Sequence, residues 1–190
     1  MWERPMNTGD LFDIFPRIET ERLVLNRIEP IHADQLLFIR GSVEGARYGP
    51  PPWTDKEQTL EKIAWFNGMH EGMEGVIWGI FLKETRDLIG HINYYIIRQY
   101  LGNVGYHLAD NQWGKGYATE ALRGALKFLY EIPDMHRTQA TVHADHPASM
   151  RVLEKVGFTN EGLLRDRAHW QDKFVDLYMF SLLRGELILK

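Results

Sequence analysis

Two glycines one residue apart, Gly114 and Gly116, stand where an apolar strand pattern gives way to a helical one, in the run Asn111-Gln112-Trp113-Gly114-Lys115-Gly116-Tyr117-Ala118-Thr119-Glu120. Residues without side chains let successive backbone N–H groups converge on an anion. A helix opening directly afterwards adds its unpaired N–H donors and the positive end of its dipole. The chemistry such a loop serves is pyrophosphate binding. It is not a P-loop, because Gly114-Lys115 lacks both the earlier glycine and the following hydroxyl residue, and the third glycine of a dinucleotide fingerprint is missing as well. On its own, Gly-x-Gly also describes a turn that binds nothing. Other constellations fail sooner. His143 and His146 are spaced as His-x-x-His, but a strand and a loop do not align them as zinc ligands and no carboxylate completes the set. With no cysteine in the chain there is no thiolate nucleophile, disulfide framework or cysteine zinc site.

Elements of alternating period must position the loop. A strand is expected over 22–28, a helix over 33–40, and a turn-rich loop over 41–52. Thr54 and Glu57 form a capping box for a second helix ending near Asn67. Strands over 76–83 and 88–97 make a hairpin, and a fourth strand over 103–109 leads into the glycines. The helix over 115–130 puts Ala121, Leu122, Ala125, Leu126 and Leu129 on one face. A strand over 138–144, a short helix over 147–156 closed by Gly157, and a last hairpin over 158–170 and 174–183 complete the chain. A helix between the fourth and fifth strands demands that those two be parallel, whereas the hairpins demand antiparallel neighbours.

Composition narrows the class. The chain has 190 residues, 44% hydrophobic and 12% aromatic, enough for the core of a single domain. A net charge of −4 and a pI near 6.1 argue against a general affinity for nucleic acid, which needs a concentrated positive face. Trp53, Trp65, Trp78 and the Tyr94-Tyr95 pair therefore read as core packing rather than base stacking. Met1-Trp2-Glu3-Arg4-Pro5 lacks a signal-peptide pattern and no apolar run reaches membrane-spanning length, so a cytoplasmic protein without membrane contact is expected.

Together with Asp145-His146-Pro147-Ala148-Ser149-Met150-Arg151-Val152-Leu153-Glu154-Lys155-Val156-Gly157-Phe158, the glycine segment resembles, in order and spacing, the cofactor motifs of the GNAT superfamily of N-acetyltransferases. Ile18-Glu19-Thr20-Glu21-Arg22-Leu23-Val24-Leu25, Gly105-Tyr106, and Glu161-Gly162-Leu163-Leu164-Arg165 with Asp176 are similar to its RimJ/RimL branch, which acetylates the N-termini of ribosomal proteins. The likeness runs from Ile18 to Arg184. It implies an α/β (α+β) fold with a mixed, splayed central sheet of about seven strands and about four helices, a single domain over 1–190 after an N-terminal extension over 1–17, and CoA at the splay. It also implies acetyl-CoA as co-substrate without a metal, and a protein N-terminal α-amine as acceptor, with a small-molecule amine as the nearest alternative. A homodimer is left open.

Residue by residue, Leu108 matches the position whose main chain holds the pantetheine arm and the acetyl carbonyl. Gly114, Lys115, Gly116, Tyr117, Ala118 and Thr119 match the pyrophosphate cradle, acting through backbone N–H groups, with the Thr119 hydroxyl as a further donor. Ser149 matches the serine of an Asn-x-x-Ser motif and would donate to the departing CoA sulfur. His146 replaces the asparagine of that motif, which in relatives orders the loop and contacts the pantetheine region of the cofactor, a role an imidazole fills only in part, and Asn111 replaces a longer Gln or Arg ahead of the glycines. These two departures favour the one reading from another class, a catalytically weak CoA-binding regulatory module. Glu161, then Asp166 and His169, are candidates for a general base, with plain strand-surface roles as the alternative. Arg47, Tyr48 and Trp53 lie around the 41–52 loop, where relatives shape the acceptor site.

Overall fold

The computed structural model describes residues 10–189. Eight strands form one sheet in the order β1-β2-β3-β4-β5-β6-β8-β7. They are β1 Ile18–Glu19, β2 Leu23–Asn26, β3 Gly75–Leu82, β4 Leu88–Arg98, β5 Leu101–Leu108, β6 Arg137–His143, β7 Thr159–Trp170 and β8 Lys173–Leu183. All neighbours are antiparallel except β5 and β6, which are parallel as the intervening helix requires. The strand beyond the seven expected is the two-residue β1, which folds back on β2 and is too short to show a period.

Four helices cover the sheet: α2 Ala33–Arg40, α3 Lys56–Glu71, α4 Tyr117–Leu129 and α5 Pro147–Val156, preceded by a single turn α1 Asp10–Asp13. On one face, α4 and α5 bury Ala121, Leu122, Ala125, Leu126, Leu129, Leu153 and Val156 with Trp78, Tyr94 and Phe180 from the strands. On the other, α2 and α3 bury Leu36, Ile39, Ile63 and Phe66 over Ile77 and Leu88. α5 has the expected bounds because Pro147 occupies a position where no N–H is needed and Gly157, at φ +112°, ends it. α3 departs from expectation. Asp55 rather than Thr54 is the N-cap, accepting from the Gln58 N–H at 2.7 Å, and the helix passes through Gly68 to Glu71. Of the N-terminal extension, residues 1–9 lie outside the described residues. Further along it, the Phe12 and Phe15 rings pack against His70.

Candidate active site

β5 and β6 are paired over only three residues, Leu101 with Arg137, Gly102 with Thr138 and Asn103 with Gln139. β5 continues to Leu108 and β6 to His143, so beyond that point the strands part and leave a notch in the middle of the sheet. Backbone groups in an antiparallel strand face alternate edges. The Ala109 N–H donates to Ile89 on β4 at 2.9 Å, which turns the N–H and C=O groups of Val104, Tyr106 and Leu108 the other way, into the notch. The Leu108 carbonyl accepts from the Trp113 indole N–H at 3.0 Å, leaving the Leu108 N–H as the donor of that residue facing the notch. A strand edge of this kind pairs with an extended, amide-bearing chain.

The glycine loop lies just beyond the end of β5. Gly114 has φ +74° and Gly116 φ +82°, left-handed conformations that favour glycine. A Cβ at Gly114 would meet no protein atom within 4 Å, and one at Gly116 would meet only Arg22 Nη2, at 3.4 Å. The space above both is open. Gly116 is the N-cap of α4, whose first helical bond runs from Glu120 N–H to the Gly116 carbonyl at 3.0 Å. The Tyr117, Ala118 and Thr119 amides precede that bond and have no acceptor among the described residues, so they stand free at the positive end of the helix. This geometry fits a pyrophosphate. The Lys115 ammonium instead bonds Gln112 Oε1 at 3.0 Å.

A brace that sequence reasoning missed holds this loop. Glu120 accepts from Thr20 Oγ1 at 2.6 Å, from the Arg22 N–H at 2.7 Å and from Arg22 Nε at 2.7 Å, while Arg22 Nη1 donates to the Lys115 carbonyl at 3.0 Å. Burial alone would raise the Glu120 carboxyl, but these hydrogen bonds and the Arg22 charge bring it below the usual carboxylate value. A depressed carboxylate adds stability that is present above its unfolded pKa and lost as pH falls through the folded one. With the Arg22 side chain partly exposed, the brace as a whole is worth about 1.5–3 kcal/mol when the carboxylate is removed, so Glu120→Ala is expected to lower the melting temperature by roughly 5 °C at neutral pH. An unchanged melting curve would show the brace to be energetically empty. Beside it, a groove of about 830 Å³ between α4 and the β1–β2 edge carries Arg17, Arg22, Arg123, Lys127 and Lys155. It touches Gly116 and Thr119 but neither Leu108 nor Ser149, and Arg123 is spent on the Ile188 and Lys155 carbonyls.

Across the notch, Ser149 sits in the first turn of α5. Its Oγ lies 2.8 Å from the Tyr106 hydroxyl, which also donates to the Ser149 carbonyl at 3.1 Å. Tyr106 thus links β5 to α5, and burial pushes its phenol up to about 12, so it stays protonated. His146 stands at the N-cap position of α5 but makes no side-chain cap bond. Its ring stacks on Tyr48 with centroids 4.2 Å apart at 15°, and burial, then the neighbouring His143, push it below the ordinary imidazole value. The stack ties the 41–52 loop to the start of α5, and Gln171 Nε2, between β7 and β8, donates to the Ala46 and Gly49 carbonyls at 3.3 Å.

Glu161 is not brought to this place. Its carboxylate takes both Arg137 nitrogens, at 2.6 and 3.0 Å, and the Ser181 hydroxyl at 2.7 Å. The Arg137 and Ser181 hydrogen bonds hold it below the usual carboxylate range, and β8 and β6 stand between its strand and the notch. A carboxylate so engaged is a poor proton acceptor, and here Glu161, the first candidate for a base, ties β7 to β6 and β8. Asp176 Oδ1 accepts from the Asp166 N–H at 2.8 Å where β7 bulges, and the His169 ring packs on Phe174 at 4.8 Å.

Residues 22–159 match the acetyltransferase (GNAT) domain family. The chain is 34% identical over 170 residues to the uncharacterized N-acetyltransferase p20 of Bacillus licheniformis, covering 88% of this chain and 96% of the relative. It is 25% identical over 118 residues to the ribosomal protein uS5-alanine N-acetyltransferase of Escherichia coli, covering 58% of this chain and 61% of that one. In structure it resembles Mycobacterium smegmatis RimJ in complex with CoA-disulfide, with a TM-score of 0.78 at 20% identity over 90% of this chain and 89% of the other. A strand pair that parts around a main-chain edge, a glycine cradle at a helix start and these matches agree: the chain belongs to the GNAT family of acetyltransferases.

Proposed function

We propose that the protein transfers the acetyl group of acetyl-CoA directly to the α-amine at the N-terminus of a protein. The observation that carries this reading is the notch itself: the free N–H of Leu108 on one side, the Ser149 hydroxyl on the other, and the cradle at Gly114 to Thr119 beyond the end of β5. Acetyl-CoA supplies an activated thioester. The cradle amides bind its pyrophosphate, and the β5 edge aligns its pantetheine amides. The Leu108 N–H points at the carbonyl oxygen, where charge builds as the amine adds. The C–N bond forms as the C–S bond breaks, Ser149 donates a hydrogen bond to the departing thiolate, and the ammonium proton passes to water. An α-amine needs no strong base for this, being roughly a tenth neutral at pH 7 against about one in a few thousand for a lysine amine. The likeness to the uS5-alanine enzyme supports an N-terminal acceptor.

Tyr106 has one hydrogen and two acceptors on Ser149. When Ser149 turns its own proton to sulfur, the phenol can turn to Ser149 Oγ and keep that oxygen in place. Tyr106→Phe is therefore expected to lower kcat about five- to tenfold while leaving acetyl-CoA affinity nearly unchanged. Steady-state kinetics at saturating acetyl-CoA decide it, and an unaltered kcat would make Tyr106 a structural link only. The function itself is tested by thiol release from acetyl-CoA with free N-terminal peptides, the same peptides N-terminally blocked but containing lysine, and small amines. Mass analysis should place the acetyl group on the free α-amine. Acetylation confined to lysine or to small amines would overturn the acceptor assignment.

A further inference from the structure

Arg40, the last residue of α2, is half-buried and has no carboxylate within ion-pairing distance among the described residues. Its Nη1 donates to His107 Nδ1 at 2.9 Å, its Nε is buried without a partner, and its Nη2 makes no hydrogen bond among the described residues. His107 cannot balance the charge. With Nδ1 accepting, its Nε2–H donates to the Ile39 carbonyl at 3.3 Å, so the ring is neutral, and burial followed by the Arg40 charge pushes it down to about 4. His91 stacks behind it at 5.9 Å and 10°, only 9% exposed, with both ring nitrogens buried and unpartnered. The Trp53 ring lies 5.2 Å from the guanidinium, and Asp110 nearby is occupied by Ser42 Oγ and the Asn111 N–H, both at 2.8 Å. A desolvated cation among neutral groups destabilises a fold unless an anion answers it.

Position says which molecule. His107 directly precedes Leu108, and the 41–52 loop leaves the helix at Arg40 and returns where the Trp53 N–H donates to the Arg40 carbonyl at 3.0 Å. That loop is the one tied to His146, at the start of α5, and to Gln171. Arg40 thus stands at the end of α2 against the residue that precedes Leu108, on the sheet face opposite α4. We propose that Arg40, oriented by His107, binds an anionic group of the acceptor, and that the preferred acceptor is a protein N-terminus with aspartate or glutamate among its first few residues. With Nη1 held by His107, the guanidinium keeps Nη2 to donate to a carboxylate, a division of donors at fixed angles that lysine cannot reproduce. The proposal rests on the transferase reading only in naming the acceptor as the bearer of the anion.

Binding, not turnover, tests it. Two synthetic peptides with free N-termini, one with glutamate at its second to fourth positions and the other with glutamine there, are titrated by calorimetry into the CoA-loaded protein. The acidic peptide is expected to bind about tenfold or more tighter, a preference that Arg40→Met erases and Arg40→Lys keeps in part. CoA affinity should not change in either variant, which shows them to be folded. Equal binding of the two peptides to the wild type, or an acidic preference surviving in Arg40→Met, would overturn the proposal. If the acidic peptide binds through Arg40 but is never acetylated, the anion site stands and the assigned reaction falls. If acetylation proceeds without acidic preference, the reverse holds.

Discussion

Replacing Gly114 and Gly116 together by valine is expected to abolish the rise in melting temperature that CoA gives the wild-type protein. Both glycines occupy left-handed backbone at φ +74° and +82°, where a β-branched side chain costs on the order of 1–3 kcal/mol at each position. Protein crowding is not the obstacle, since the space at Gly114 is empty and Arg22 approaches a Cβ at Gly116 no closer than 3.4 Å. The loss instead comes from the loop leaving the conformation that aims the Tyr117 to Thr119 amides, and from isopropyl groups standing where phosphate oxygens must approach. A ligand at a hundred times its Kd stabilises the native state by about 2.7 kcal/mol, so a hundredfold weakening removes nearly the whole effect. Thermal melts with and without CoA provide the measurement. A folded double variant that still responds fully would take the cradle out of cofactor binding.

The second large effect concerns turnover. Ser149→Ala is expected to reduce kcat by about ten- to a hundredfold while acetyl-CoA affinity stays within a few-fold, because a hydrogen bond to a charged group is worth about 1.5–3 kcal/mol. Complete loss is not expected, since a thiolate with a pKa near 8.5 leaves fairly well unaided. The structure makes this variant unusually clean. Tyr106 also donates to the Ser149 main-chain carbonyl at 3.1 Å, a bond alanine retains, so the tie between β5 and α5 survives the loss of the hydroxyl. Single-turnover rates at saturating acetyl-CoA separate chemistry from release. Equal rates in the two proteins would return Ser149 to an ordinary place in the first turn of a helix.

What the sequence made legible was local. α2 and α5 lie at their expected bounds because their signals sit within a few residues of the ends they determine, as Pro147 and Gly157 do. The parallel pairing of β5 and β6 also followed from local facts, a helix of known length between two strands. The two-residue β1 and the Asp55 cap were misjudged for want of pattern, one being shorter than a period and the other one of two adjacent capping residues. The site was legible only as far as its backbone. Glycines and a helix start announce a cradle, but the Glu120 brace joins residues 98 and 100 positions apart, and the Arg137–Glu161 pair is brought together by β8. Arg40 and His107, 67 positions apart, carry no mutual signal at all. Side-chain partnerships made by the sheet cannot be read before the sheet is built.

The notch between β5 and β6 divides the molecule's recognition into two kinds that drift differently. On the reading proposed above, the acyl donor is held by main-chain amides of β5 and of the first turn of α4, groups that every non-proline residue carries, so side chains there can change without altering what is bound. The acceptor is met by side chains, Arg40 at the end of α2 and Tyr48 in the loop that follows. A lineage built on this plan can exchange one amine for another through a few substitutions while the activated acyl group it spends remains the same.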